Sequence, residues 1–211
     1  MPITLNQNIN ENTNLIIWHI TEQLADLEII SKDCLQTSDF EEFNNINNIR
    51  RKKEWLIVRI LVFKLLGKYS KIYYDKNKKP FLANNQTISI SHSQNYVGIL
   101  LTNSKFAGLD IEQISEKIEN VINKFLSTDE IKNIHPKDKY LTYTILWAAK
   151  ETLYKLYGKK ELIFKSNLHV ESFIPQNQDI IHGFININEK TEKYNLNYFI
   201  LNDNIVVWCI K

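Results

Sequence analysis

The chain is poor in the residues that organise small secreted or metal-stapled folds, with 5 glycines, 4 prolines, 2 cysteines and 1 methionine in 211 residues. Cys34 and Cys209 stand far apart, and neither belongs to a CxxC or Cys/His spacing. That excludes a zinc site or a dithiol redox motif, so both read as buried thiols. No apolar run reaches the ~18 residues that span a bilayer, and no charged segment followed by an apolar stretch opens the chain. A soluble cytoplasmic protein is the expectation. Charge of one sign is also lacking: Lys+Arg 26 against Asp+Glu 24 leaves +2, too balanced for a nucleic-acid coat or a polybasic membrane binder. The scarcity of glycine and proline beside abundant Asn, Ile and Lys is a compositional bias without functional content.

What is present is enough for a core. A chain that is 44% hydrophobic and 11% aromatic buries a sizeable interior without disulfides or structural metal. Two helices are clearly signalled. Over 49–66, Trp55, Ile57, Val58, Ile60, Leu61, Val62, Leu65 and Leu66 form a broad apolar face behind Arg50, Arg51, Lys52 and Lys53, and over 140–157 a stripe runs through Leu141, Ile145, Leu146, Ala149, Leu153 and Leu156. Gly67 and Gly158 close them.

Strands are predicted over 15–20, 87–91, 96–102, 106–111, 167–174, 180–187, 194–201 and 205–210, with turns at 93–95 and 202–204. Residues 75–80 read as a lysine-bearing turn and 118–125 as helix, while Ser127 and Glu130 read as a capping-box start. The stretch from 20 to 43 is helix-compatible without clear boundaries. Helix then strands, occurring twice, predicts an α+β chain of two similar halves that meet near Lys105.

Three segments carry chemistry. In Gly108-Leu109-Asp110-Ile111-Glu112 the strand period puts two carboxylates on one face, with Leu109 and Ile111 directed the other way into the core. Paired hard oxygens suit Mg²⁺, although an Asp-x-Glu at a strand end is commonly just solvated. In 147–155 (WAAKETLYK), Trp147, Glu151 and Lys155 recur every four residues along one helix face. Alone, that reads equally as a surface ion pair. In Ile88-Ser89-Ile90-Ser91-His92-Ser93, a histidine between serines offers donors to an anion or makes an ordinary polar turn.

Together, ISISHS, GLDIE and WAAKETLYK resemble the motif set of the 4′-phosphopantetheinyl transferase superfamily, of the surfactin-synthetase-activating type. That family has a Ser-His-Ser segment, then Asp-x-Glu, then Trp-x-x-Lys-Glu-x-x-x-Lys about forty residues later, and Glu151 follows Glu112 at that distance. Lys79-Pro80, Lys124-Phe125-Leu126-Ser127 leading to Glu130, and the arginine-bearing helix at 50–67 are similar too. Ala107 and Leu109 stand where valine or isoleucine is more usual, and neither departure touches a chemical group.

The resemblance implies an α+β fold of two similar halves, 1–105 and 106–211, in a pseudo-twofold arrangement with the active site where they meet. It implies Mg²⁺ gathered by Asp110, Glu112 and Glu151, with coenzyme A as co-substrate. Arg51 (or Arg50), Lys79, Pro80, Ser91 and His92 would take the adenosine and 3′-phosphate end, and Lys155 the phosphate that departs. Glu151 and Lys155 would be catalytic, Glu151 relaying the proton of the acceptor serine directly or through a water. The implied partner is an apo acyl or peptidyl carrier protein, with fatty-acid, polyketide and nonribosomal-peptide synthesis equally open. Acidic carriers would be steered by the basic residues at 50–53 and 68–79, or those residues serve coenzyme A.

The resemblance further implies a monomer with neither nucleic acid nor membrane as partner. Competing readings are another magnesium-dependent phosphohydrolase or nuclease, a nucleic-acid module that stacks bases on Tyr69, Tyr73 and Tyr74 among lysines, and a coenzyme A binder without transfer.

Overall fold

Each half of the chain builds an antiparallel sheet and lays one long helix on it, an α+β architecture. The computed structural model describes residues 3–132, 134, 138–159 and 161–211. The chain divides into two units, Met1–Ser104 and Lys105–Lys211.

The first unit begins with β1 (Ile3–Asn10) and β2 (Thr13–His19). Two short helices follow, α1 (Leu24–Ile30) and α2 (Thr37–Asn44), each opened by a glutamine whose backbone N–H binds an aspartate three residues on. Next come α3 (Ile49–Leu66), the paired strands β3 (Ile72–Tyr74) and β4 (Pro80–Leu82), then β5 (Thr87–Ser93) and β6 (Tyr96–Thr102). The main sheet runs β1-β2-β6-β5, antiparallel throughout. Its core joins Leu56, Ile57 and Leu61 of α3 to Ile16, Trp18, Val97 and Ile99 of the sheet.

Local chemistry fixes the length of α3. The Asn48 side chain accepts from the Arg51 N–H at 3.1 Å, and Gly67 adopts the left-handed conformation, φ 67°, that a residue with a Cβ takes only at a cost. The predicted helix over 49–66 and the predicted β5–β6 hairpin form. The lysine-bearing turn expected at 75–80 forms and joins β3 to β4, with Asp75 accepting from the backbone N–H groups of Asn77 and Lys79 at 2.8 Å each.

The second unit comprises β7 (Ala107–Gln113), α4 (Ile122–Phe125), α5 (Thr128–Lys132), α6 (Lys139–Tyr157), α7 (Phe164–Asn167), β8 (Leu168–Val170), β9 (Gln178–Ile187), β10 (Lys190–Leu201) and β11 (Asn204–Ile210). Its sheet order is β7-β11-β10-β9-β8, also antiparallel. Helix α6 lies on it, and Ala149, Leu153 and Leu156 join Ile181, Ile185, Leu196, Ile205 and Val207 in one core.

The capping box at Ser127 forms, with Ser127 N–H on Glu130 at 2.8 Å and Glu130 N–H on the Ser127 hydroxyl at 3.2 Å. The helix expected over 118–125 divides into a 3₁₀ turn (Glu116–Asn120) and α4. The strand expected over 167–174 is the shorter β8. Cys34 and Cys209 are both buried thiols, and burial pushes the Cys209 thiol up to about 12. No helix among the described residues is long and apolar enough to cross a membrane.

Candidate active site

The acidic residues of the second unit are placed by one glycine. A Cβ at Gly108 would lie 2.1 Å from the Thr152 carbonyl oxygen, so only glycine lets β7 and α6 approach this closely. Period-two alternation then turns Asp110 and Glu112 toward α6 as well. Lys155 Nζ donates to Asp110 Oδ1 at 2.7 Å and to the Leu109 carbonyl at 2.9 Å. Trp147 Nε1 donates to Glu112 Oε1 at 2.9 Å. Leu109 and Ile111 are fully buried, but they do not join the core beneath α6. The expected alternation holds: Asp110 and Glu112 take the side of β7 that faces α6, while Leu109 and Ile111 point the other way and are buried.

Glu151 lies one turn beyond Trp147 and one turn before Lys155, so the three share a face of α6. Burial, then the charge of Asp110, push the Glu112 carboxyl up to about 7 against the pull of Trp147 and Lys155. The same causes, in the same order, raise Glu151 to about 7, again opposed by Lys155. Three carboxyl groups thus act on one another across the β7–α6 contact, with Lys155 as the neighbouring cation. Desolvation and like charge are two of the ways in which a protein raises a carboxyl group toward neutrality.

Lys150, on the adjacent face of α6, has a fully buried side chain. It donates to Glu130 at 2.9 Å and to the Phe125 carbonyl at 2.7 Å, with a longer contact of 3.4 Å to the Phe164 carbonyl. Glu130 also accepts from the Val170 N–H at 3.2 Å. This lysine is therefore a brace between α6, α4, α5 and β8.

The first unit gathers cations. Arg50 Nε and Arg51 Nη1 both donate to the buried Glu54, at 2.9 and 2.8 Å, and Arg51 Nη1 lies 2.8 Å from His92 Nε2. Arg51, Glu54, Arg59, Tyr74, Ile90 and His92 line a cavity of about 360 Å³. Pro80 pairs with Tyr74 in the β3–β4 ladder, and burial lowers the Lys79 ammonium pKa, opposed by Asp75.

Residues 107–209 match the model of the 4′-phosphopantetheinyl transferase superfamily. No curated protein matches the chain. The superfamily match takes in Asp110, Glu112, Trp147, Lys150, Glu151 and Lys155, and it leaves the basic residues of the first unit outside.

Of the site residues expected from the superfamily resemblance, Asp110, Glu112, Glu151 and Lys155 come together, and so do Arg51 and His92. Arg51 rather than Arg50 reaches His92. Ser91 is buried, on the face of β5 opposite the exposed His92. The four-residue spacing put Trp147 on the face of Glu151 and Lys155, but its hydrogen bond to Glu112, 35 residues away, was missed. The Lys150–Glu130 pair had no such signal, since twenty residues and a helix break separate its members.

Among the described residues, no group of three His, Cys, Asp or Glu side chains is placed to hold a metal ion as the side chains stand. Lys155 and Trp147 take carboxylate oxygens instead. The donor chemistry is nevertheless that of a hard divalent cation: three carboxyl groups whose mutual repulsion such an ion would relieve.

Proposed function

We propose that this chain transfers the 4′-phosphopantetheine arm of coenzyme A to a serine of an apo acyl or peptidyl carrier protein, releasing adenosine 3′,5′-bisphosphate. The observation that carries the reading is the superfamily match over 107–209 on a unit whose β7 and α6 bring Asp110, Glu112, Glu151 and Lys155 into one electrostatic group. The motif order favours the surfactin-synthetase-activating type, acting in the cytoplasm as a holo-carrier synthase.

Asp110, Glu112 and Glu151 would hold Mg²⁺, which supplies charge neutralisation for the pyrophosphate when bound. Glu151 accepts the serine proton, directly or through a water, as the serine oxygen bonds to the phosphorus bearing pantetheine. The bond from that phosphorus to the bridging oxygen breaks, and Lys155 stabilises the charge on the departing bisphosphate. Arg51 and His92, with Lys79, Pro80 and Ser91, take the adenosine 3′-phosphate end, a role suited to a guanidinium beside an imidazole. Phosphoryl transfer of this kind needs positioning and charge stabilisation more than covalent chemistry.

The test is incubation of the protein with coenzyme A, Mg²⁺ and apo-carriers of fatty-acid, polyketide and nonribosomal-peptide type, read by intact mass. At least one carrier gains one phosphopantetheine arm; no mass gain on any of them contradicts the reading.

A further inference from the structure

Glu112 accepts from an aromatic donor, Trp147 Nε1, and the surroundings of that donor are constrained. The Trp147 indole stands between two phenyl rings, edge-on to Phe125 at 5.0 Å between centroids and stacked on Phe164 at 5.6 Å. Aromatic pairs at such distances hold orientation as well as bury area. The backbones of those two phenylalanines are tied to one atom, because Lys150 Nζ donates to the Phe125 carbonyl at 2.7 Å and contacts the Phe164 carbonyl at 3.4 Å. The same ammonium is anchored by Glu130, whose own oxygens are fixed by the Ser127 and Val170 N–H groups. Every joint in this series is buried or part-buried, and it ends on one carboxylate oxygen, Glu112 Oε1.

We propose that Trp147 is a positioning residue which holds one oxygen of Glu112, so that the other is presented for the divalent cation, and that the Lys150–Glu130 brace builds the aromatic slot that aims it. The inference rests on the metal-holding role given to Asp110, Glu112 and Glu151 above. A rigid N–H donor suits the task because a long carboxylate side chain otherwise samples several rotamers, and ordering it at the moment of binding costs affinity. An indole N–H gives a single donor in a fixed plane and accepts nothing, so it cannot compete as a ligand. Groups that orient metal ligands in this way change metal affinity by about 10- to 100-fold when removed.

The test is Mn²⁺ binding, followed by the loss of its free-ion electron paramagnetic resonance signal, on the full chain without coenzyme A or carrier. Trp147→Phe keeps the ring between Phe125 and Phe164 and removes only the donor. It weakens Mn²⁺ binding about 10-fold, with the thermal midpoint close to that of the parent protein. In the Glu112→Gln background the same change has less than about 2-fold further effect, because the group it acts through is gone.

Equal effects of Trp147→Phe in both backgrounds contradict the positioning role while leaving the metal reading in place. No effect of Glu112→Gln itself removes the metal reading and this inference together. Lys150→Met, made in a Glu130→Gln background so that no buried charge is stranded, weakens Mn²⁺ binding with Trp147 present and leaves it unchanged once Trp147 is Phe. An undiminished affinity in the Lys150→Met, Glu130→Gln protein that retains Trp147 overturns the part assigned to the brace.

Discussion

The two units treat charge in opposite ways. In the first, two half-exposed arginines close on the buried Glu54, with His92 beside them, so the carboxylate is neutralised and cationic capacity is left over. In the second, Asp110, Glu112 and Glu151 face one neighbouring lysine, and two of them are pushed up to about 7. A surplus of cation at one place and of anion at the other is what a doubly charged phosphate ester and a divalent ion require, respectively. The same kind of element carries each group: a long helix closed by a left-handed glycine and laid on an antiparallel sheet.

Glu151→Gln has the largest effect, since it removes charge and proton acceptor together. Transfer falls about 100- to 10,000-fold with an unchanged far-ultraviolet circular dichroism spectrum; near-parental labelling of carrier would remove Glu151 from the mechanism. Next in size is Lys150→Met. Stranding the buried Glu130 carboxylate costs about 3 to 5 kcal/mol, measured by urea unfolding, whereas Glu54→Gln in the first unit leaves two arginines that water already reaches. Comparable losses in the two variants would erase the distinction between the enclosed brace and a carboxylate whose arginine partners reach water.

His92→Ala sharpens the contrast from the cationic side. It raises KM for coenzyme A about 10-fold and leaves KM for 3′-dephospho-coenzyme A unchanged, and equal changes for both substrates would place the histidine elsewhere on the ligand. The smallest effect is on pH. Groups raised from 4.5 to about 7 in the folded state contribute stability that is complete below pH 4.5 and is lost as pH rises through about 7. The metal-free protein therefore melts at lower temperature at pH 8 than at pH 5, and Glu151→Gln flattens that fall. A pH-independent difference between the two proteins would show that the Glu151 carboxyl is not raised by burial and by its charged neighbours.

What the sequence made legible followed from strong periodicity. Helices α3 and α6, the β5–β6 hairpin and the last three strands each repeat apolar residues at one clear interval and end on turn residues. Strand β1 was missed because ITLNQNIN is polar and mostly unburied, an edge held by pairing to β2 rather than by a core face. Helices α1 and α2 left no boundary because they are too short for a period and are opened by glutamine, not by the usual cap residues.

At the site, residue types and order were readable, and facing was not. Alternation put Asp110 and Glu112 together, but only the close approach at Gly108 fixes that they look onto α6. Alternation alone also separates Ser91 from His92, a consequence that the Ser-His-Ser string hides when it is read as a unit. Contacts between distant segments, such as Lys150 with Glu130, leave no periodic trace at all.

The most direct measurement is release of adenosine 3′,5′-bisphosphate from coenzyme A, followed with and without an apo-carrier whose labelling has been seen by mass. Release is expected only when carrier is present, with one bisphosphate per arm attached, and none when the carrier serine is replaced by alanine. Release at the same rate without carrier would mean that water is the acceptor, and the protein would be a hydrolase.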